Sequence, residues 1–186
     1  IDSNDGRRYY GDIQEVIVYN EEITDLQAQQ VRSYLSFKYG TTLTNDNNAN
    51  LITNETISGE IQEGDYVASN GNTITFDYSE DTNFVTNIAG IGRDDDTCLE
   101  QKQSRSVNSD AILTIGLGEI ASNNANNTNS FDNDLDFFTW GSNGDLTTFA
   151  DRTTGVTGIG TVTERMTRIW RAQDNGNVGA TDISFD

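Results

Sequence analysis

Apolar and polar positions first alternate along this chain, then change period. From Ile13 to Tyr19 the alternation sets Ile13, Glu15, Ile17 and Tyr19 on one face of a strand and Val16 and Val18 on the other. The second face is the more apolar, and a strand apolar on both sides is usually central or covered by another element. Asn20-Glu21-Glu22 then makes a turn. Thr24 stands as an N-cap with Gln27 three residues on and Asp25 in the first turn, which is a capping box. Ala28, Val31, Tyr34 and Leu35 keep helical spacing, Tyr39 extends the stripe, and Gly40 is a natural C′ residue. The pattern predicts an amphipathic helix over 25–39 that packs its apolar stripe across a sheet or a domain junction.

Residues 44–65 are polar, with short strands predicted around Leu51–Thr53 and Thr56–Ile61. After that, strand patterns recur at the spacing of an all-β domain. They fall at Tyr66–Ala68, Thr73–Tyr78, Ile88–Gly92, Ile112–Leu117, Phe137–Trp140, Arg165–Gln173 and Ala180–Phe185. Asn70-Gly71, Asn143-Gly144 and Asp174-Asn175-Gly176 supply turns. Ser122–Ser130 reads as a loop tip or flexible spacer, and no internal repeat is present. The fold class is mainly β: a β-sandwich-like module with one amphipathic helix near the N-terminus.

Composition narrows the function. The 186 residues fit one domain, or one domain plus part of another. Thirty acids against 11 bases give a net charge of −19. Such a surface repels nucleic acid and anionic lipid, so no nucleic-acid partner is expected. Solubility accounts for most of this charge. No apolar run reaches membrane-spanning length, so no membrane insertion is expected. Cys98 is alone, which rules out an internal disulfide and a Cys-based structural metal site. The chain has no His, which removes Ser-His-Asp and Cys-His catalysis and His-ligated zinc together. It also has no Pro, so Gly, Asn and Asp must make its turns.

Two stretches resemble known families. Gly11-Asp12-Ile13-Gln14-Glu15-Val16-Ile17-Val18-Tyr19-Asn20 resembles the closing strand of laminin-G-like (concanavalin A-like) jelly-roll domains. The second set comprises Asn87–Asp95, Leu99–Ser106, Ile112–Gly116, Phe138–Gly144 and Arg168–Arg171 with Val178-Gly179. In that order it resembles a β-rich module of unassigned function that follows such domains in large secreted surface proteins of Bacteroidota. The resemblance implies three parts: residues 1–23 close a jelly roll that lies mostly outside the chain, 24–43 form a connecting helix, and 44–186 form the β-rich module. A closing strand so near the start, and a final DISFD that stops within a strand pattern, imply a piece of a longer protein. The resemblance further implies export to the bacterial cell surface, with neighbouring β-domains of the same parent as partners and no catalytic residues to carry over.

Several constellations carry candidate chemistry. Asp94-Asp95-Asp96 follows a strand pattern ending at Gly92 and offers hard oxygen ligands for Ca²⁺. Glu80-Asp81, and Asp132-Asn133-Asp134 with Asp136, are weaker candidates, and none matches an EF-hand loop. Tyr9 and Tyr10 are candidate ligand residues for a glycan or other surface ligand, whereas Trp140 and Trp170 lie in strand patterns beside apolar neighbours and belong to the core. Gly90-Ile91-Gly92-Arg93 lacks the lysine and following helix of a phosphate cradle, which leaves a tight strand end. Thirty acids produce carboxylate pairs by chance, and none sits among aromatics as glycoside hydrolysis requires. Arg93, Arg105, Arg168 and Arg171 are expected as structural ion-pair partners. The sequence thus points to a non-catalytic adhesion or spacer module of a secreted surface protein. The alternative is a carbohydrate-binding accessory module, Ca²⁺-dependent or not, of a polysaccharide-degrading enzyme.

Overall fold

The computed structural model describes residues 11, 13–43, 56–151 and 164–186. Tyr9, Tyr10 and the strand expected at Leu51–Thr53 lie outside them. Helix α1 spans Asp25–Tyr39 with the expected ends. The Thr24 hydroxyl accepts the Gln27 N–H, the Gln27 side chain accepts the Thr24 N–H at 2.8 Å, and Gly40 closes the helix at φ 66°.

The face that α1 buries is not the apolar stripe. Gln29, Ser33, Ser36 and Phe37 are buried, while Val31, Tyr34 and Leu35 are half-buried. The helix lies along a strand edge whose backbone groups need partners. Gln29 Nε2 donates to the Asp65 carbonyl at 2.5 Å, and the Val67 N–H donates to Ser33 Oγ at 2.8 Å. Gln30 donates to the carbonyls of Ala68 and Ser69. Small and polar helix residues therefore do for this edge what another strand would do.

The strands follow in chain order: β1 (Thr56–Ser58), β2 (Ile61–Gln62), β3 (Tyr66–Val67), β4 (Ile74–Phe76), β5 (Thr86–Asp94), β6 (Leu99–Gln101) and β7 (Gln103–Arg105). Then come β8 (Leu113–Leu117), β9 (Phe137–Ser142), β10 (Phe149–Asp151), β11 (Glu164–Met166), β12 (Trp170–Asn175) and β13 (Thr181–Phe185). A central antiparallel sheet runs β12-β9-β5-β6, and a second sheet runs β13-β8-β7. The pairs β1-β2, β3-β4 and β10-β11 are separate hairpins. Asn70-Gly71 turns β3 into β4 as expected, with Gly71 at φ 69° and Asn70 Oδ1 accepting the Thr73 N–H.

The central sheet is covered on both faces. On one face Ala89, Ile91 and Trp140 pack with Leu113, Ile115, Leu117, Phe131 and Val178, joining the two sheets. On the other face Phe37, Tyr66, Ala68, Phe76, Ile88, Leu99 and Phe137 join the sheet to α1 and the β3-β4 hairpin. The main-β, sandwich-like architecture with a single N-terminal helix is as the sequence indicates. Trp140 is buried, and Trp170 is half-buried in an edge-to-face contact with Phe185 at 5.2 Å.

Gly90 and Gly92 lie within β5 rather than at a tight strand end. A Cβ on Gly90 would collide with the Phe37 ring, and one on Gly92 with the Phe137 ring. Those two rings pack with centroids 4.9 Å apart. Two other expectations also change. Arg165–Gln173 is not one strand, because Arg168 turns inward between β11 and β12 to donate to Asp110 Oδ2 (2.8 Å) and to the carbonyls of Asp110 and Asp145. Ser122–Ser130 is a bonded loop rather than a spacer. Asn124 Oδ1 accepts the Lys102 N–H, and buried Asn127 donates to the carbonyls of Leu117 and Glu119. Arg93, Arg105, Arg168 and Arg171 each hold an ion pair, with Asp95, Asp186, Asp110 and Asp81.

Two stability predictions follow from this packing. Gly92→Ala overpacks the ring of Phe137 and is expected to cost about 1–3 kcal/mol in urea denaturation, with partial recovery in the Gly92→Ala, Phe137→Leu double variant. Unchanged stability in the single variant would disprove the contact. The second concerns pH. Burial pushes the Asp65 carboxyl up from 3.8 to about 6, outweighing the N–H bonds it accepts from Gln62 and Tyr78. Between these values the folded chain binds the extra proton, so this contribution is present below pH 3.8 and lost as pH rises through about 6. The melting temperature of Asp65→Asn is expected to vary less than the wild type's across that window; parallel profiles would disprove the shift.

Candidate functional site

The Ile13–Tyr19 segment does not form the strand that its pattern predicts: among the described residues it pairs with no other strand. A strand needs a partner edge, and α1 offers this segment side chains only. The alternation is kept from Glu15 onward, while Ile13 is exposed. Glu15 reaches α1, where its carboxylate accepts from Lys38 Nζ at 2.9 Å and from the Tyr39 hydroxyl at 2.7 Å. Val16 and Val18 face away and are 72% and 86% exposed. Hydrogen bonds from Lys38 and then Tyr39 hold the Glu15 carboxyl below the usual carboxylate range. Bonds to the Tyr34 hydroxyl and to Glu15 keep the Lys38 ammonium charged.

Between this arm and α1 lies a cavity of about 450 Å³. The arm and its turn contribute Ile17, Tyr19, Glu21 and Ile23 to its wall. The helix contributes Gln27, Gln30, Val31 and Tyr34, and Ser69 and Thr97 close the floor. The helical members are spaced three and four apart and so share one face. That face is free to line a groove because the burial of α1 falls on Gln29, Ser33, Ser36 and Phe37 instead. The sequence assigned Val31 and Tyr34 to packing; Tyr34 does pack against the core around Phe37, and both residues also line the groove.

The three aspartates suggested for Ca²⁺ do not converge. Asp94 is buried at the end of β5, where its carboxylate accepts the Ser69 N–H at 2.9 Å and the Ser69 hydroxyl at 2.6 Å. Asp95 takes both Nε and Nη2 of Arg93, at 2.7 and 2.8 Å, and this bonding lowers its pKa. Asp96 is exposed. Among the described residues no group of three or more His, Cys, Asp or Glu side chains is placed to hold a metal ion. Of the weaker candidates, Asp81 is held by Arg171 and Gln173, Asp134 accepts the Asp95 N–H, Asp136 accepts from Asn133 and Asn177, and Glu80 and Asp132 are exposed. Among the described residues no helix is long and apolar enough to cross a membrane.

Residues 27–186 match a family described as a domain of unknown function, DUF8202, and the chain belongs to that family. No curated protein and no solved structure matches it. The match begins at Gln27, inside α1, so the helical wall of the groove falls within the matched residues and the arm precedes them.

Calcium at Asp94–Asp96 has to displace Ser69 from Asp94 and Arg93 from Asp95 before it gains oxygen ligands. An ion bound there is expected to raise the melting temperature by several degrees over an EDTA-treated sample, and Asp96→Asn to abolish the rise. Superimposable melting curves in EDTA and in excess Ca²⁺ would discard the site.

Proposed function

We propose that this chain is a non-catalytic module of a large secreted cell-surface protein, in which it serves adhesion or spacing alongside other β-domains. One observation carries the reading. The arm Ile13–Tyr19 is anchored to α1 through Glu15, yet it presents Ile13, Val16 and Val18 to solvent and its backbone pairs with no described strand. An apolar, extended segment on a chain of net charge −19 calls for cover by a further sheet. The resemblance of this segment to the closing strand of a laminin-G-like sandwich names a sheet of that kind.

The body of the module supports the same reading. Several buried carboxylates and the buried guanidinium are held by neighbouring groups: Asp94 by Ser69, Asp65 by Gln62 and Tyr78, Asp136 by Asn133 and Asn177, and Arg168 by Asp110 and Asp145. Groups tied down in this way stiffen a spacer. They are also poorly placed to exchange protons with a substrate.

Amide hydrogen exchange on a longer stretch of the parent polypeptide, one that includes the preceding sequence, tests the proposal. The amides of Val16 to Tyr19 are expected to exchange at least about tenfold more slowly there than in the 186-residue chain, because ladder bonds protect them. Equal exchange rates in the two polypeptides would end the tandem-domain reading.

A further inference from the structure

The groove between the arm and α1 has the makings of a ligand site, and its chemistry favours one ligand class. At about 450 Å³ it falls in the range of small-molecule sites. Tyr19 on the arm and Tyr34 on the helix both line it, with Ile17, Ile23 and Val31; the Tyr34 ring also packs on the core and carries Lys38 Nζ 5.1 Å from its centroid. Such rings offer flat apolar faces with a polar rim.

Two neutral amides complete the wall. Gln27 Oε1 accepts the Thr24 N–H, which leaves the Gln27 amide NH₂ without a partner among the described residues. Gln30 Nε2 donates to the Ala68 and Ser69 carbonyls, which leaves its Oε1 as an open acceptor. A donor and an acceptor thus stand beside two aromatic faces. The one charged residue among the described lining residues is Glu21. Lys38, the nearby cation on the Tyr34 hydroxyl, is already paired with Glu15.

These features discriminate between ligands. An anion meets a carboxylate, no available cation among the described lining residues, and a chain of net charge −19. A wholly apolar ligand buries the two amides without partners, at a desolvation cost. A ligand with a C–H face for the rings and hydroxyls that both donate and accept satisfies every group present.

We propose that this groove binds a neutral saccharide, either a terminal sugar or a short run of an uncharged glycan. The sugar sits between Tyr19 and Tyr34, and Gln27 and Gln30 meet its hydroxyls. This assignment rests on the adhesion reading above and supplies its ligand class.

Titration of the 186-residue chain with neutral gluco-, manno- and galacto-oligosaccharides tests it, followed by calorimetry and by saturation-transfer NMR. A heparin-derived tetrasaccharide and decanoate serve as the anionic and apolar arms. At least one neutral oligosaccharide is expected to bind, with transfer between sugar C–H groups and the protein. Tyr19→Ala should weaken binding about threefold to tenfold, the loss of one aromatic face. Val31→Glu should abolish it. Tyr19 lies on the arm outside both core clusters, so melting curves should show Tyr19→Ala folded. Binding of heparin or decanoate but no neutral saccharide would overturn the assignment. Neutral-saccharide binding that neither Tyr19→Ala nor Val31→Glu alters would place the sugar elsewhere and overturn it too. Absent saccharide binding together with slow arm exchange in the longer polypeptide would leave the module reading standing; saccharide binding with an unprotected arm would leave the groove standing instead.

Discussion

The structure turns on two missing side chains in β5. Gly90 and Gly92 leave the central strand bare on one face, and the rings of Phe37 and Phe137 occupy that space. Phe37 comes from α1 and Phe137 from β9, so this contact seats the helix on the sheet. Once seated, α1 brings Gln29, Ser33 and Gln30 against the open edge at Asp65–Ser69. The β3-β4 hairpin is held as a consequence, because two strands this short have little stability without cover. Close packing of this kind tolerates few alternatives, since a single added methyl group has no room.

Charge imposes the second constraint. With 30 acids and 11 bases, the chain cannot give every carboxylate a cation. Asp94, Asp65 and Asp136 are instead satisfied by backbone N–H groups, hydroxyls and side-chain amides. The few cations are placed where layers meet, as with Arg168 at Asp110 and Arg171 at Asp81. This division of labour gives the abundant Ser and Asn a structural purpose. Asn124 and Asn127 act in the same way, stitching the Ser122–Ser130 loop to the crossing from β6 to β7.

Local signals in the sequence were reliable and non-local ones were not. Thr24, Gln27 and Gly40 mark the helix ends through contacts within one turn, so their meaning is legible from spacing alone. Alternation located most strands for a similar reason. The role of Gly90 and Gly92 depends on Phe37 and Phe137, dozens of residues away on either side, and nothing near the glycines announces it. Apolar spacing on α1 misassigned the buried face, because that face meets unpaired backbone and a hydrophobic stripe cannot satisfy it. The polar run at Ser122–Ser130 resembled a spacer because its partners lie in β8 and around Lys102. Asp94 and Asp95 read as calcium ligands from their spacing, and the bonds that Ser69 and Arg93 make to them are not legible there.

The same distinction governs the groove. Its helical wall is fixed by the core, since Phe37 sets the rotation of α1 and thereby presents Gln27, Gln30, Val31 and Tyr34 together. Its other wall is the arm, attached through the exposed Glu15–Lys38 pair and the Tyr39 hydroxyl. An exposed pair is screened by salt and holds a segment weakly. One wall is therefore set by the core and the other by an exposed ion pair, so the arm is the more easily displaced of the two. The helical wall lies within the residues matched to the family, and the arm that precedes them forms the other wall.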